Sequence, residues 1–356
     1  MKRVCIVSGL CLLAAALPSQ RRGGEHFELT PARLAQRLTR KLELPDACGA
    51  AWCGLLEIGP PAVRPLVAAT SDPREDVAIR AIWVLGLLRE DGDAALPHLR
   101  KLAAGDDAPR KVAAEWAIDR IAFRGRLLAD YSDNSVVHLG ADGEQVRKIK
   151  GLKGAWHAEP IGGGRLLVSE YTGGRVVEID ADDKEVWKFE DVENPYGAQR
   201  LPNGNTLVAD AGNQRVVEVS RAGKVVWEKT KLKRPVWVRR LPDGTVLIAE
   251  QNGDALEFGP DGKLVRRITK LESPMCIERL SDGGLLVTAH RAGKLFEYGK
   301  DGAEPRVARD FVQAQTARRR RDGHTLIAST TQWIELDADG KEVWRRKGSY
   351  AVGVFW

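Results

Sequence analysis

The stretch TLVADAGNQRVVEVSRAGKVVWEKT, residues 206–230, decides the fold because looser copies of it recur along the chain. The leucine of each copy marks the register at Leu127, Leu167, Leu207, Leu247, Leu286 and Leu326. The spacings are 40, 40, 40, 39 and 40 residues. A fixed period near 40 is typical of repeated supersecondary units that cannot bury their apolar faces alone.

One unit contains signals for four short strands. The run PYGAQRL, residues 195–201, ends at the tight-turn signal PNG, and TLVAD follows as a second strand. After the turn AGNQ, RVVEV alternates apolar and polar residues as a half-buried strand does. SRAG then turns the chain into KVVWEKT. The unit therefore predicts a four-stranded antiparallel sheet, and six such sheets in series predict a radially closed β-propeller.

The two ends of the repeat region are complementary. The first copy begins at Leu127 without an inner strand before it, whereas the last copy continues into GSYAVGVFW, residues 348–356. We expect this final segment to supply the missing inner strand of the first sheet. A ring closed in this way leaves no open edge between the first and last sheets.

The preceding third of the chain has helical signals. Thr30-Pro31 is an N-cap followed by proline at the first helical position. Trp52, Trp83 and Trp116 mark related amphipathic segments 31 and 33 residues apart, and we interpret them as core residues. The pattern, with its DVAIRA stretch and DGDA turn, resembles HEAT repeats, which implies a short α-solenoid that binds protein or covers a neighbouring domain.

The sequence thus predicts a multidomain α and β protein. A HEAT-like helical-repeat segment spans residues 28–123, and an all-β six-bladed propeller closed by the C-terminal strand spans residues 124–356. Residues 1–20 have a basic start, an apolar run and an Ala-x-Ala option, as signal peptides do. We expect export to the periplasm or the extracellular space, and no transmembrane segment.

Three cysteines follow the predicted signal. Cys48 and Cys53 could pair in an oxidising compartment, or could be buried thiols on helical turns, and both alternatives remain open. Cys276 lies in the repeat region.

The net charge of +6 permits an anionic partner without requiring one. The run Arg318–Arg321 has no interleaved aromatic residues, so we expect no nucleic-acid partner. An anionic glycan or lipid surface suits the run better, and a solvated turn suits it best.

Parts of the repeat resemble known propeller families. ADAGNQRVVEV resembles an NHL repeat, and EIDADDKEVW, ELDADGKEVW and SRAGKVVW resemble PQQ-type repeats. HAEPIGGGRLLVSE and AQRLPNGNTLVAD resemble bacterial arylsulfotransferase propellers. The NHL resemblance implies that the acidic column Asp130, Glu170, Asp210 and Glu250 ties turns together. PQQ itself is not expected, because related quinoprotein dehydrogenases have eight blades, a calcium site and a vicinal disulfide.

Candidate ligand-binding residues lie on the inner strands, which line the channel and differ from blade to blade. Besides His157, the channel candidates are Trp156, Glu159, Gln199, Trp237, Arg239, Glu278 and Arg318. The resemblance to arylsulfotransferases implies His157 as nucleophile or general acid, with arginines such as Arg239 stabilising a sulfuryl group. Resemblance to lactonase propellers implies calcium near His157, Glu159 and Glu278.

These patterns favour a non-enzymatic binding or scaffold protein, because no nucleophile–base–orienter set, metal spacing or phosphate loop is present. Its expected partner is a protein or an anionic glycan, bound at the channel mouth or the helical face, and we expect a monomer. No cofactor or metal is predicted, with calcium as the alternative. The alternative function is a channel enzyme, a transferase or a lactonase- or lyase-like protein, that uses His157.

Overall fold

The computed structural model describes residues 30–302, 304–311 and 313–355. The predicted signal peptide, residues 1–20, lies outside this part of the chain. No helix among the described residues is long and apolar enough to cross a membrane.

Six α-helices come first within the described residues. They are α1 (Pro31–Arg40), α2 (Pro45–Ile58), α3 (Val63–Ala69), α4 (Glu75–Leu87), α5 (Leu96–Ala103) and α6 (Ala108–Ala122). Short 3₁₀ turns at Lys41–Glu43, Pro60–Ala62 and Arg89–Ala95 connect some of them. The predicted cap of α1 is confirmed, since Thr30 Oγ1 accepts a hydrogen bond from Arg33 N at 3.4 Å.

The helix tryptophans are core residues, as predicted. Trp52, Trp83 and Trp116 are buried, and the rings of Trp83 on α4 and Trp116 on α6 pack edge to face with centroids 6.1 Å apart. Cys48 and Cys53 both lie on α2 as buried free thiols, which confirms that alternative over a disulfide. The assignment of these helices to HEAT repeats stays a prediction.

The strands follow in six consecutive groups. The first three groups are β1 (Arg126–Asp130), β2 (Ser135–Leu139), β3 (Gln145–Ile149); β4 (Ala155–Gly162), β5 (Arg165–Glu170), β6 (Arg175–Ile179), β7 (Glu185–Phe189); and β8 (Pro195–Arg200), β9 (Thr206–Asp210), β10 (Arg215–Val219), β11 (Val225–Lys229). The next three are β12 (Pro235–Arg240), β13 (Val246–Glu250), β14 (Ala255–Phe258), β15 (Leu264–Ile268); β16 (Pro274–Arg279), β17 (Leu285–Ala289), β18 (Lys294–Tyr298), β19 (Pro305–Asp310); and β20 (Ala314–Arg319), β21 (Thr325–Ser329), β22 (Gln332–Leu336), β23 (Glu342–Lys347). The last strand is β24 (Ala351–Phe355).

These strands form six four-stranded antiparallel sheets, numbered here as blades 1–6 in chain order. Blade 1 has the order β24-β1-β2-β3, so the last strand is its inner strand. Leu127 pairs with Phe355 and Ala129 with Gly353. Trp333 of blade 6 donates its Nε1–H to the Gly353 carbonyl at 3.1 Å. The predicted six-bladed propeller and its closure by the C-terminal strand are therefore confirmed.

The acidic column at the end of the second strand in blades 1–4 holds loops in place. Asp210 accepts hydrogen bonds from Glu193 N and from Arg215 Nε, both at 2.8 Å. Glu250 likewise accepts from Lys233 N at 2.7 Å. Each carboxylate thereby fixes the loop that enters the inner strand of its own blade. The structural role predicted for this column is confirmed.

A second column, on the third strand of each blade, joins neighbouring blades. Each of its glutamates pairs with an arginine of the next blade. That arginine lies at the end of the inner strand in blades 3–6 and at the start of β1 in blade 1. The pairs are Glu178–Arg200, Glu218–Arg240, Glu257–Arg279, Glu297–Arg319 and Glu335–Arg126. Blade 1 has His138 at this position, and the Phe123 ring stacks on it at 4.8 Å where the helices enter the propeller.

The outer-strand tryptophans pack between blades. Arg200 and Arg221 of blade 3 lie over the ring of Trp187 in blade 2, and Trp187 Nε1 donates to the Arg221 carbonyl at 3.0 Å. Trp227 and Trp344 are covered by an arginine of the next blade in the same way. The NHL- or PQQ-type subtype of these repeats stays a prediction.

All inner strands run through the ring in the same direction, because every blade has the same strand order. They begin at one face, called here the open face, beside the loops that connect successive blades. They end at the opposite face, called the closed face, where the inner strands of blades 2–6 are each followed by a tight turn such as Leu201–Asn205. The two faces give the central channel two different ends.

Candidate functional site at the open end of the channel

The helices cover the closed face. Trp116 Nε1 donates to the Arg200 carbonyl at 2.8 Å, and Trp52 Nε1 donates to Asp243 Oδ2 at 3.3 Å. Arg120 of α6 reaches Glu159 at 3.2 Å. Helix and propeller side chains also share one buried apolar cluster. This end of the channel is therefore an internal interface.

The run Arg318–Arg321 is held by contacts within the protein, which corrects its interpretation as a solvated turn or a surface for glycan or lipid. Arg318 and Arg319 pair with Glu278 and Glu297 of the propeller, whereas the next two arginines belong to the helix interface. Arg320 pairs with Glu90 at 2.9 Å. Arg321 pairs with Asp91 at 2.6 Å and donates to the backbone carbonyls of residues 57 and 58. The error arose because the partners are more than 200 residues distant in sequence, on helices whose docking could not be predicted.

Side chains fill the middle of the channel. Trp237 is 1% exposed, and the guanidinium groups of Arg239 and Arg318 lie 4.5 and 4.9 Å from its ring centroid. His157 packs edge to face on the same ring at 5.4 Å. The structure therefore brings four of the predicted channel residues together in a layer buried from solvent.

His157 is 1% exposed, and its Nε2 lies 3.0 Å from Arg239 Nη2. Because a guanidinium can only donate, Nε2 must accept, and the ring proton sits on Nδ1. Burial, followed by the charges of Arg239, Arg318 and Arg120, holds the pKa of His157 well below its usual range. The imidazole is thus neutral, with its lone pair engaged by Arg239. A catalytic role for His157 stays a prediction.

Three other candidates hold adjacent inner strands together. Glu159 accepts from Arg200 N, Gln199 from Arg240 N at 2.7 Å, and Glu278 from Arg319 N at 3.3 Å. Each bond joins one blade to the next at the same height in the ring. Glu278 also pairs with Arg318 at 2.7 Å. These contacts are structural, although the residues differ between blades.

No cluster of three or more His, Cys, Asp or Glu side chains in the described part of the chain is arranged to hold a metal ion. The proposed calcium set of His157, Glu159 and Glu278 has its histidine and Glu159 bound to arginines. A calcium role for this set stays untested.

The open end has a different composition. Five aromatic side chains surround its mouth on one side and form what we call the aromatic arc: Tyr131, Trp156, Tyr171, Tyr196 and Tyr350. Trp156 is central, with its ring centroid 4.4 Å from Tyr196, 5.4 Å from Tyr171 and 5.5 Å from Tyr131. All but Tyr196 are half-buried, so part of each ring faces solvent. Trp156 was a predicted channel residue, whereas the four tyrosines were missed.

One arginine fixes the tyrosines at the end of the arc. Arg234 Nη2 donates to Tyr171 Oη at 3.3 Å and to Tyr196 Oη at 3.2 Å. Burial raises the pKa of Tyr196 to about 12, so its hydroxyl stays protonated at neutral pH. Both rings are therefore held in orientation before any ligand arrives.

Polar atoms without partners lie around the rest of the mouth, as His157 Nδ1 and Trp237 Nε1 also do in the buried layer of the channel. Arg234 Nε, His290 Nδ1, Gln315 Oε1 and Thr330 Oγ1 are shielded from solvent and have no hydrogen-bond partner among the described residues. Buried polar groups normally have partners, and an exception needs a water molecule or a ligand to satisfy it. The open end thus combines an aromatic side with an unsatisfied polar side.

A signal for the arc was present in the repeat. Tyr131 and Tyr171 directly follow the acidic column in blades 1 and 2, where blades 3–6 have Ala211, Gln251, His290 and Thr330. Trp156 and Tyr196 share a second column, on the inner strands. Four of the chain's five tyrosines fall in the arc. A position that is aromatic in adjacent blades and polar or small elsewhere indicates a local surface and not a requirement of the blade.

The fold of this chain recurs in solved structures. One is a protein of unknown function from Bacteroides caccae, with 18% identity and a TM-score of 0.57, which covers 65% of this chain and 98% of that one. Another, solved as a nidogen/laminin complex, has 11% identity and a TM-score of 0.53, covering 64% of this chain and 96% of that one.

A streptogramin B lyase has 13% identity and a TM-score of 0.49, and the similarity covers 63% of this chain and 79% of the lyase. Two structures of virginiamycin B lyase from Staphylococcus aureus cover 62% and 64% of this chain. That similarity is too low to support a functional argument. No protein-family model matches the sequence. No curated protein matches it either. At these identities the similarity shows the propeller fold alone.

Proposed function

We propose that this chain is an exported binding protein that holds a saccharide at the open end of its propeller channel. The observation that carries the proposal is the aromatic arc, a contiguous set of rings centred on Trp156, of which all but Tyr196 are partly exposed. The apolar faces of sugar rings pack on such side chains, and the aromatic–aromatic contacts already present keep the rings rigid. Export rests on the predicted signal at residues 1–20.

The polar side of the mouth supports the same proposal. A small-molecule site combines apolar and aromatic walls with a few placed polar groups. Gln315 Oε1 can accept a hydrogen bond from a sugar hydroxyl, and Thr330 Oγ1 can donate or accept one.

The closed face offers less surface for a ligand. The helices that could present a protein-binding face use Trp52, Trp116 and Arg120 against the propeller. The middle of the channel is filled by Trp237 and its arginines. We therefore place the ligand at the open end and not inside the channel or on the propeller-facing side of the helices.

An array of neutral and acidic glycans tests this proposal. The native chain should bind at least one glycan, and Trp156→Ala should weaken that binding about tenfold, as expected for losing ~1.4 kcal/mol of ring stacking. Trp227→Ala is the matched control, because Trp227 is a partly buried tryptophan on an outer strand, covered by Arg240. It should keep full binding.

Trp156 also packs against core residues, so a second variant guards against misfolding. Tyr171→Ala removes a half-buried ring next to it and should weaken binding several-fold, with an unchanged thermal transition as the check on folding. The proposal fails if the native chain binds no glycan on the array. It also fails if both folded variants bind as the native chain does.

A further inference from the structure

Two depressions lie on the open face beyond the aromatic arc. The first has a volume of about 470 Å³ and is lined by residues that include Asn194, Gln214, Lys233 and Arg234. The second has a volume of about 480 Å³ and lies between blades 4 and 5. Asn252 lines both, so the two depressions adjoin. We call them together the trough.

The trough continues from the arc. Arg234 lines its first depression and donates to the hydroxyls of Tyr171 and Tyr196. Asn194, in the same lining, donates from Nδ2 to the Tyr171 carbonyl at 3.5 Å. One connected surface therefore extends from the rings of blades 1–3 across blade 4 to blade 5.

The lining of the trough differs from that of a peptide groove. Its side chains are mostly amides, a hydroxyl and charged groups, such as Gln251, Asn252, Ser273 and Arg291. Leu271 is the one apolar side chain larger than alanine among the residues that line it, and it is 8% exposed. Bound peptides gain most of their affinity from apolar and aromatic anchors in buried pockets, which this lining does not offer.

Amide groups suit a chain of hydroxyl groups. Each Asn or Gln side chain offers two donor hydrogens and a carbonyl acceptor, and each sugar hydroxyl can both donate and accept. Each depression also falls within the range of small-molecule sites, about 300–1,000 Å³, and so accommodates at least one sugar ring.

We infer that the ligand is an oligosaccharide, with one ring stacked on the aromatic arc and further units lying along the trough. This inference rests on the proposed function, because it assigns the polymeric nature of the saccharide bound at the same open end. In this arrangement the arc binds one sugar unit, and contacts along the trough make the affinity depend on the length of the oligosaccharide.

Calorimetric titration with oligosaccharides of one to six units tests the inference, using glucose, galactose, N-acetylglucosamine and uronic acid series. In the series that binds, affinity should rise at least tenfold between one unit and four. Asn252→Ala should weaken binding of four units about three- to tenfold and leave binding of one unit unchanged. Asn252 is exposed and its side chain makes no described hydrogen bond, so this variant should fold normally.

Asn203→Ala is the matched control, since Asn203 lies in a closed-face turn where its amide donates to Glu218 at 3.3 Å. It should bind every length as the native chain does. Equal affinity for one and six units, or an Asn252→Ala profile identical to the native one, would overturn the oligosaccharide inference and leave the proposed function standing. If no series binds, or if Trp156→Ala binds all lengths normally, the proposed function itself is lost.

Discussion

The two ends of the channel differ in the contacts and the exposure of their side chains. At the closed end, Glu159 is 0% exposed. It forms an ion pair with Arg120 and accepts a hydrogen bond from the backbone N–H of Arg200. At the open end, Gln315 Oε1 and Thr330 Oγ1 have no described partner, and aromatic rings face solvent beside them. The first arrangement stabilises the fold, whereas the second leaves side chains that can contact a ligand.

This difference has a physical basis. A buried charge that loses its partner is costly, so the closed end tolerates little change. Replacing a partly exposed aromatic side chain by a smaller one removes only some packing, so residues at the open end can be substituted without unfolding the blades. Substitutions at the closed end should therefore change stability, and substitutions at the open end should change binding.

The largest effect is expected from Glu159→Ala. Its removal takes away the carboxylate that serves Arg120 and Arg239 within the buried layer. We expect the free energy of unfolding to fall by about 3–5 kcal/mol, measured by chemical denaturation. Glu228→Ala, on an outer strand and 3.7 Å from Arg215, should cost less than about 0.5 kcal/mol. A similar small loss for both variants would break the comparison.

Asp119→Asn should act in the opposite direction. Asp119 accepts a hydrogen bond from Gly163 N at 3.0 Å, and burial raises the pKa of its carboxyl to about 6. The folded state therefore binds the proton more tightly than the unfolded state, and stability declines as the pH rises from about 4 to 6. The amide keeps the acceptor without the charge.

We expect Asp119→Asn to stabilise the protein at pH 7 by about 1–2 kcal/mol and to flatten stability between pH 4 and 6. Thermal unfolding at several pH values measures both effects. Asp191→Asn, at an exposed side chain, is the control and should leave the pH profile unchanged. If the dependence of stability on pH were the same in Asp119→Asn as in the native chain, this carboxyl would not contribute to the pH dependence of stability.

Arg321→Ala tests how firmly the helices are attached. Arg321 pairs with Asp91 and donates to two backbone carbonyls at the end of α2. Its partly exposed side chain should contribute about 1 kcal/mol. Hydrogen exchange should become faster in the amides of α2 and the Arg89–Ala95 turn, with blades 1–3 unaffected. Equal acceleration throughout the propeller would show that the helices and blades unfold as one unit.

The smallest effect is expected from Tyr196→Phe. The variant keeps the ring of the arc and removes the hydroxyl that accepts from Arg234. Stability should fall by about 0.5–1 kcal/mol or less. Glycan binding should weaken two- to threefold, because the arginine and the ring lose their fixed orientation. Tyr298→Phe, in blade 5 and outside the arc, should leave binding as it was. A full loss of binding in Tyr196→Phe would make the hydroxyl, and not the ring, the main contact.

The repeat allowed most of the propeller to be predicted from the sequence. A residue such as Asp210 or Trp187 recurs at equivalent positions, so its role in one blade can be inferred from the others. The missing inner strand of the first blade and the spare strand at residues 351–355 likewise predicted each other. Repetition carries this kind of information because every blade must satisfy the same hydrogen bonds and the same packing.

The functional surface was harder to predict for the same reason. The aromatic side chains of the arc come from positions between 131 and 350 and meet only when the propeller closes. No local sequence motif therefore predicts them as a group. Variation between blades was a useful signal but an ambiguous one. Glu159 and Gln199 vary and hold strands together, whereas Trp156 varies and is partly exposed to solvent. Only the three-dimensional positions separate the two cases.

The strand order of blade 1 has a consequence for biosynthesis. Strand β24 is synthesised after every other described strand, yet it pairs with β1, the first of the described strands. Throughout elongation, the β1 edge is therefore exposed to other chains, a recognised cause of aggregation. Pairing across such a sequence separation is also slow. The first blade is thus completed only after all the other described strands have been synthesised.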